Sequence, residues 1–323
     1  MPPVIPDHLH FIWIGPRLPW FAQLAMETAL RNCPEARVTL WASHDLTADP
    51  QAALLQTRSR FDIARLDEQS LFDGADSALP LDLLARLFAQ LTQPAARANI
   101  ARLLILARFG GIYLDTDTVT FRDLGPLRAR GAFCGLEHVV WPVENRPRLH
   151  PSLALGGLRE LVRLTCAVVP RGELAFQRLA GWYYTAANNA VLGFPAGHPF
   201  LLRTLRLVDT LSQHERERRY RLGTHLLQQA LQSWGDELGV QQLPPPYFYP
   251  LGPQISRQYF RKRRDVARAA SRVRGDGTYV IHWYASVSQL APYDEARTRQ
   301  ERAATLFAYL AAEAMGWDSP HGG

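Results

Sequence analysis

Lysine is nearly absent from this chain: of its 36 basic residues, Lys262 is the one lysine and the other 35 are arginines. Such skew reflects base composition more than function. It also leaves a single candidate for any chemistry that needs a lysine. Cysteine is sparse. Cys33, Cys134 and Cys166 are odd in number and far apart, which excludes a disulfide or zinc framework and suits a reducing compartment. They read as small buried hydrophobes. No apolar run reaches the ~20 residues of a membrane span. The start lacks a charged-then-apolar leader. The expected location is cytoplasmic, or peripheral at the inner face of the membrane.

What is present fits an ordinary folded chain. Its 323 residues, 47% hydrophobic and 20% charged, suit one large α/β domain with insertions. The net charge of +6 favours anionic ligands such as nucleotide phosphates, anionic lipid or an acidic polymer. The densest basic stretch, Arg257–Arg274, reads as a solvated face or as a membrane-surface contact. No motif that reads nucleic acid accompanies it.

The most informative stretch is 95–124. Pro94 suits the first turn of a helix, and Ala96, Ile100, Leu103, Leu104 and Ala107 recur at the spacing of a buried helical stripe. Gly110 and Gly111 close that helix. Ile112, Tyr113 and Leu114 form a short strand that carries Asp115 and Asp117 to its end. Two carboxylates there make a hard-oxygen site for Mn²⁺ or Mg²⁺, with coordination positions left for phosphate and water. Alone, such a triplet starts a turn as readily as it holds a metal. Asn99 and Arg102 lie three apart on one face of the preceding helix.

Around this stretch a strand–helix rhythm is expected: strands at 8–14, 37–41, 61–66, 119–121, 133–137 and 278–284, and helices at 19–32, 199–211, 223–234 and 297–315. Residues 70–93 read as an inserted helical piece. Residues 140–158 read as an acceptor-binding loop, and 244–250, PPPYFYP, as a stiff extended segment. The rhythm implies a mainly parallel, Rossmann-type sheet flanked by helices, with ligands bound beyond the carboxyl ends of its strands.

The motif Asn99-x-x-Arg102, then Gly110-Gly111-x-Tyr113-x-Asp115-x-Asp117, resembles the DXD-containing sugar-transferase family. That family includes capsular polysaccharide transferases, the yeast initiating α-mannosyltransferase and the catalytic domains of large glucosylating toxins. The resemblance implies a single GT-A-type domain over 1–323. Residues 1–124 would form the nucleotide-binding half, 125–292 the donor-sugar and acceptor half, and 293–323 a C-terminal helix and tail. It implies a retaining transfer of sugar from a UDP- or GDP-sugar to a hydroxyl of a glycan, lipid-linked or protein acceptor. Asp115, Asp117, Arg102 and Asn99 would serve catalysis, and Asp117, Asp115 and His282 would hold Mn²⁺ or Mg²⁺. Ile12, Trp13, Gly111, Tyr113, Asn188 and Asn189 would contact nucleotide or donor. The family's usual Asp is Asn99 here, which still hydrogen-bonds but carries no charge. Trp13 reads equally as a core residue or a base-stacking platform. Asn188 and Asn189 read as sheet-edge groups or donor contacts, and His282 as a satisfied core residue or a ligand. Gly223-Thr224-His225 would open a helix near the donor.

Two other classes fit parts of the sequence. Leu114–Val119 also matches the Asp-x-Asp-x-Thr signature of haloacid-dehalogenase-like phosphatases, but these carry it near the start of the fold and need a downstream lysine, for which Lys262 is the one candidate. A sugar- or nucleotide-binding relative without turnover is the other, and Asn99 is the feature that points to it.

Overall fold

The computed structural model describes residues 4–72, 79–141, 152–218, 221–285 and 293–317. Its centre is a seven-stranded sheet in the order β3-β2-β1-β4-β7-β6-β8. The strands are β1 (His8–Trp13), β2 (Arg37–Ala42), β3 (Phe61–Arg65), β4 (Gly111–Leu114), β6 (Phe133–Val139), β7 (Tyr184–Phe194) and β8 (Gln241–Leu243). A two-stranded ribbon pairs β5 (Thr118–Thr120) with β9 (Val280–His282), antiparallel. Helices cover both faces: α1 (Trp20–Asn32), α2 (Pro50–Gln56), α3 (Glu68–Phe72), α4 (Leu81–Gln90), α5 (Pro94–Phe109), α6 (Gly125–Arg128), α7 (Ser152–Val168), α8 (Gly172–Arg178), α9 (Pro199–Leu207), α10 (Gln213–Glu217), α11 (Leu226–Trp234) and α12 (Val266–Arg274). Glu295–Glu301 and Leu306–Met315 form two more.

The α/β class expected from the rhythm is the class observed. Strands β3, β2, β1 and β4 are mutually parallel, but β7 runs antiparallel to β4 and to β6, so the sheet is mixed. The family resemblance implies an asparagine-rich turn near Asn188; those residues lie inside the eleven-residue strand β7. Alanine and asparagine are poor strand formers, but pairing on both edges overrides propensity. The loop expected through 158 gives way to α7 from Ser152, and 142–151 lie outside the described residues. The inserted helical piece is α3 and α4, with 73–78 likewise outside. Pro245–Tyr247 coil into a 3₁₀ turn instead of an extended run. The single C-terminal helix is two, because Thr305 caps a fresh start by accepting from the Ala308 amide.

Helix α5 packs one sheet face through Ile100, Leu103, Leu104, Ile105 and Leu106, all buried. Those five side chains contribute roughly 10 kcal/mol of apolar transfer. The glycine pair that ends α5 is sterically required. Gly111 has φ +104°, and a Cβ there would lie 2.4 Å from the His8 carbonyl oxygen. Only glycine lets β4 approach β1 so closely. All three cysteines are buried and free, and burial pushes the thiols of Cys33 and Cys134 up to about 12.

Candidate active site

The site forms where β4 ends. Asp115 follows Leu114 directly, and its amide donates to the Ala190 carbonyl on β7 at 2.9 Å. Its Oδ1 accepts from the Tyr113 hydroxyl at 2.6 Å and lies 3.1 Å from Arg102 Nη1. Arg102 is buried in α5. It donates to the Asn189 carbonyl at 2.5 Å, and its guanidinium lies 4.4 Å from the centre of the Tyr113 ring. One arginine therefore fixes helix, strand and carboxylate together.

Asp117 is held from the far end of the chain. The ribbon places His282 opposite Thr118. His282 Nε2 donates to Asp117 Oδ1 at 2.9 Å, and the Ala285 amide donates to Oδ2 at 2.7 Å. Burial alone would raise the Asp117 carboxyl, but the imidazole and the amide outweigh it and hold the pKa below the usual carboxylate value. Burial lowers His282, and the two aspartates more than offset this, so its pKa is raised. Asp115, Asp117 and His282 bring one ligand atom each to within 4.8 Å of one another.

A break in β7 supplies the next layer. The pairing with β6 jumps from Cys134–Leu192 to Gly135–Asn188, leaving 189–191 outside that ladder. Their backbone groups find other partners. The Asn189 carbonyl goes to Arg102, the Ala190 amide to Asn188 Oδ1 at 2.8 Å, and the Val191 amide to the Tyr249 hydroxyl at 3.0 Å. The released Asn189 donates from Nδ2 to Asn99 Oδ1 at 2.8 Å. Gly223 packs against both: a Cβ there would lie 2.7 Å from Asn99 Nδ2 and 3.1 Å from Asn189 Nδ2. So Asn99, Arg102, Asn188, Asn189 and the 223 turn converge as the sequence suggests, though through a bulge rather than a turn.

Other expected residues fall differently. Trp13 ends β1, half-buried, with Nε1 donating to the Arg17 carbonyl at 2.7 Å. Its ring meets Phe21 edge-on at 6.1 Å, and Phe21 meets Trp283 at 5.4 Å. Ile12 is buried in the core, which leaves only its backbone for any ligand. Gly111 stands at the start of β4, about 13 Å from Asp115 along the strand, and serves the approach to His8. Tyr113 is fully buried and reaches the site through its hydroxyl.

Sequence reasoning missed Glu137 on β6 and Tyr284. Glu137 is buried; burial raises its pKa, partly offset by hydrogen bonds from Asn188 and Tyr284. The Tyr284 hydroxyl donates to Glu137 Oε2 at 2.9 Å from a residue held at φ +59°, an unusual conformation for tyrosine. A charged residue inside the strand FCGLEHV was the available signal.

Residues 21–134 match the family described as the glycosyltransferase sugar-binding region containing DXD motif. The matched residues include Asn99, Arg102 and both aspartates; His282 lies beyond them. No match is found among curated proteins. Among solved structures the chain is similar to the PaToxG glycosyltransferase, at 17% identity and TM-score 0.47, over 98% of this chain and 88% of that one. It is also similar to mouse xyloside xylosyltransferase 1, at 14% and 0.46, over 87% and 98%. A third is the galactosyltransferase LgtC, solved with donor and acceptor sugar analogs, at 13% and 0.41, over 97% and 98%.

Proposed function

We propose that the protein is a glycosyltransferase of the GT-A type that depends on a divalent metal and moves a sugar from a UDP- or GDP-sugar to an acceptor hydroxyl with retention of configuration. The convergence of Asp115, Asp117 and His282 carries this reading. Two carboxylate oxygens and one imidazole nitrogen fit Mn²⁺ better than Mg²⁺, which prefers oxygen alone. Asp115, Asp117 and His282 would hold the ion, which would neutralise the diphosphate that leaves as the glycosidic bond breaks.

The chain's own groups do the rest. Arg102 holds the Asp115 carboxylate in place, and it sets a fixed positive charge beside the breaking bond. The neutral Asn99–Asn189 pair offers amide donors and acceptors to sugar hydroxyls. Trp13 stacks on the base, a contact that accepts uracil or guanine alike. With no residue assigned as a covalent nucleophile, the acceptor hydroxyl attacks from the face the diphosphate leaves, and its proton passes to the departing phosphate.

Thermal unfolding with UDP or GDP, with and without Mn²⁺, tests this. A ligand that binds only the folded state raises the midpoint. The expected result is a rise that needs both Mn²⁺ and one of the nucleotides and that disappears in Asp117→Asn. No rise with either nucleotide, with or without metal, would overturn the reading.

A further inference from the structure

The face of α7 turned to solvent is mostly apolar, with Glu160, paired to Arg163, at its edge. Its exposed residues Leu155, Leu158, Leu161, Leu164 and Val168 stand at three- and four-residue spacing, with Ala154, Gly157 and Thr165 between them. The opposite face packs inward through Arg163, Cys166 and Ala167. Leu161 is 61% exposed and Val168 is 59% exposed. The stripe runs for about 20 Å along the helix. A row of leucines left in water is unusual on a monomer's surface and marks a contact face.

Beside it stands a concentration of positive charge. The 3₁₀ segment Pro253–Phe260 and the residues after it pack on the carboxyl end of α7. Gln258 Nε2 donates to the Cys166 carbonyl at 2.7 Å and to the Val169 carbonyl at 2.9 Å, and Arg261 donates to the Val168 carbonyl. A cavity of about 380 Å³ opens there, lined by Arg171, Arg261, Lys262, Arg263 and Arg264. Arg263 is neutralised by Glu173 and Asp265, each at 2.8 Å. Arg171, Arg261, Lys262 and Arg264 remain exposed; Arg171 lies 3.3 Å from Asp265, the one acid among the lining residues, and Lys262 lies 4.0 Å from Glu301. Past the next helix Arg159 lies 4.5 Å from the centre of the half-exposed Tyr184 ring and 5.7 Å from the Trp182 ring. Tryptophan and tyrosine are the aromatics that favour a lipid–water boundary.

We propose that this surface docks the protein on an anionic lipid bilayer. The α7 leucines would enter the headgroup–acyl boundary, and lipid phosphates would sit against Arg171, Arg261, Lys262 and Arg264. Charge complementarity selects this occupant: an apolar helix face bordered by exposed cations in excess of their acid partners matches a surface that is apolar below and negative above. The inference rests on this surface alone and stands whether or not the metal and donor reading holds. It also narrows the basic stretch seen in the sequence. Arg274 pairs with Glu313 at 3.1 Å, and Arg272 and Arg171 share Asp265 at 3.9 Å and 3.3 Å, so the excess membrane-facing charge comes from its first half.

Co-sedimentation of the full chain with phosphatidylcholine vesicles, with and without phosphatidylglycerol, tests it. Binding is expected only to the anionic vesicles and should weaken as salt is raised. Replacing Arg261, Lys262 and Arg264 by glutamine should weaken it about a hundredfold. Leu158→Gln with Leu161→Gln should weaken it at least about tenfold. Both variants alter exposed side chains, and an unchanged unfolding midpoint confirms that they fold. Three outcomes would overturn the proposal. One is no binding to anionic vesicles. The second is a leucine-dependent dimer in the absence of lipid, which would make the stripe an interface between copies. The third is binding to anionic vesicles that millimolar glycerol phosphate abolishes while leucine replacement leaves it intact, which would make the cavity a site for a soluble phosphate.

Discussion

Arg102→Met should lower stability far more than the loss of a surface arginine. The guanidinium is buried against Tyr113 and pairs with Asp115, whose side chain is 24% exposed. Breaking a buried pair costs about 3–5 kcal/mol; the partial exposure of Asp115 puts this pair at the lower end, about 3. The Asn189 carbonyl loses its donor as well, which adds about 1 kcal/mol. A total near 4 kcal/mol corresponds to a fall in unfolding midpoint of roughly 6 °C for a chain of this length. Scanning calorimetry without ligand measures this. A double-mutant cycle isolates the cause: in the Arg102→Met background, Asp115→Asn removes the stranded charge. The two changes together should then cost about 2–3 kcal/mol less than the sum of the singles. Arg102→Lys keeps the charge but loses the fork that reaches both Asp115 and Asn189, so it should recover less than half of the loss. A drop under about 3 °C for Arg102→Met, or strict additivity in the cycle, would refute the pairing argument.

Other outcomes follow from the same geometry. Gly111→Ala forces a Cβ to 2.4 Å from the His8 carbonyl at φ +104°; a loss of about 3 kcal/mol or more is expected in urea unfolding. His10 is buried, with Nε2 donating to the Gly110 carbonyl at 2.8 Å and Nδ1 accepting from Trp41 at 3.2 Å. Burial, with help from His8, lowers its pKa to about 3. The unfolded chain therefore binds the extra proton first, and the stability this neutral ring supplies is complete above about pH 6.5 and lost as pH falls. Between pH 7.5 and pH 5 the loss should be about 2 kcal/mol and should vanish in His10→Gln. Trp13→Ala should weaken nucleotide binding by about 1–3 kcal/mol in calorimetric titration, uniformly for UDP and GDP.

Much of the first half of the fold was legible in the sequence because its signals are local. The run HLHFIW, the stripe along α5 and the double glycine each specify structure within a few residues, and the acid pair follows at once. The site's remaining parts are set by pairing at long range. Nothing in YTAANNAVLGF announces a central antiparallel strand, since its identity as β7 depends on β4 and β6 on either side. The bulge that frees Asn189 depends on Arg102 and the Asp115 amide donating to its carbonyls and on the Tyr249 hydroxyl accepting from its amide, and none of them is near in sequence. Sequence pattern gave His282 two readings, core or ligand; its contact with Asp117 at 2.9 Å puts it beside the acid pair. Glu137 was passed over because an acid in an apolar strand has meaning only once Tyr284 and Asn188 are seen to meet it.

The ribbon of β5 and β9 also orders events in time. Asp117 and His282 are 165 residues apart in the chain. At about 5–20 residues per second on the ribosome, roughly 10–30 s separate the synthesis of one from the other. Throughout that interval the nascent protein can assemble β1 to β4 with α5, and thus seat Arg102 on Asp115, while Asp117 has neither its imidazole nor its amide donor. The cluster of Asp115, Asp117 and His282 therefore exists only once synthesis has passed residue 285, so shorter products would carry the motif without the assembled cluster.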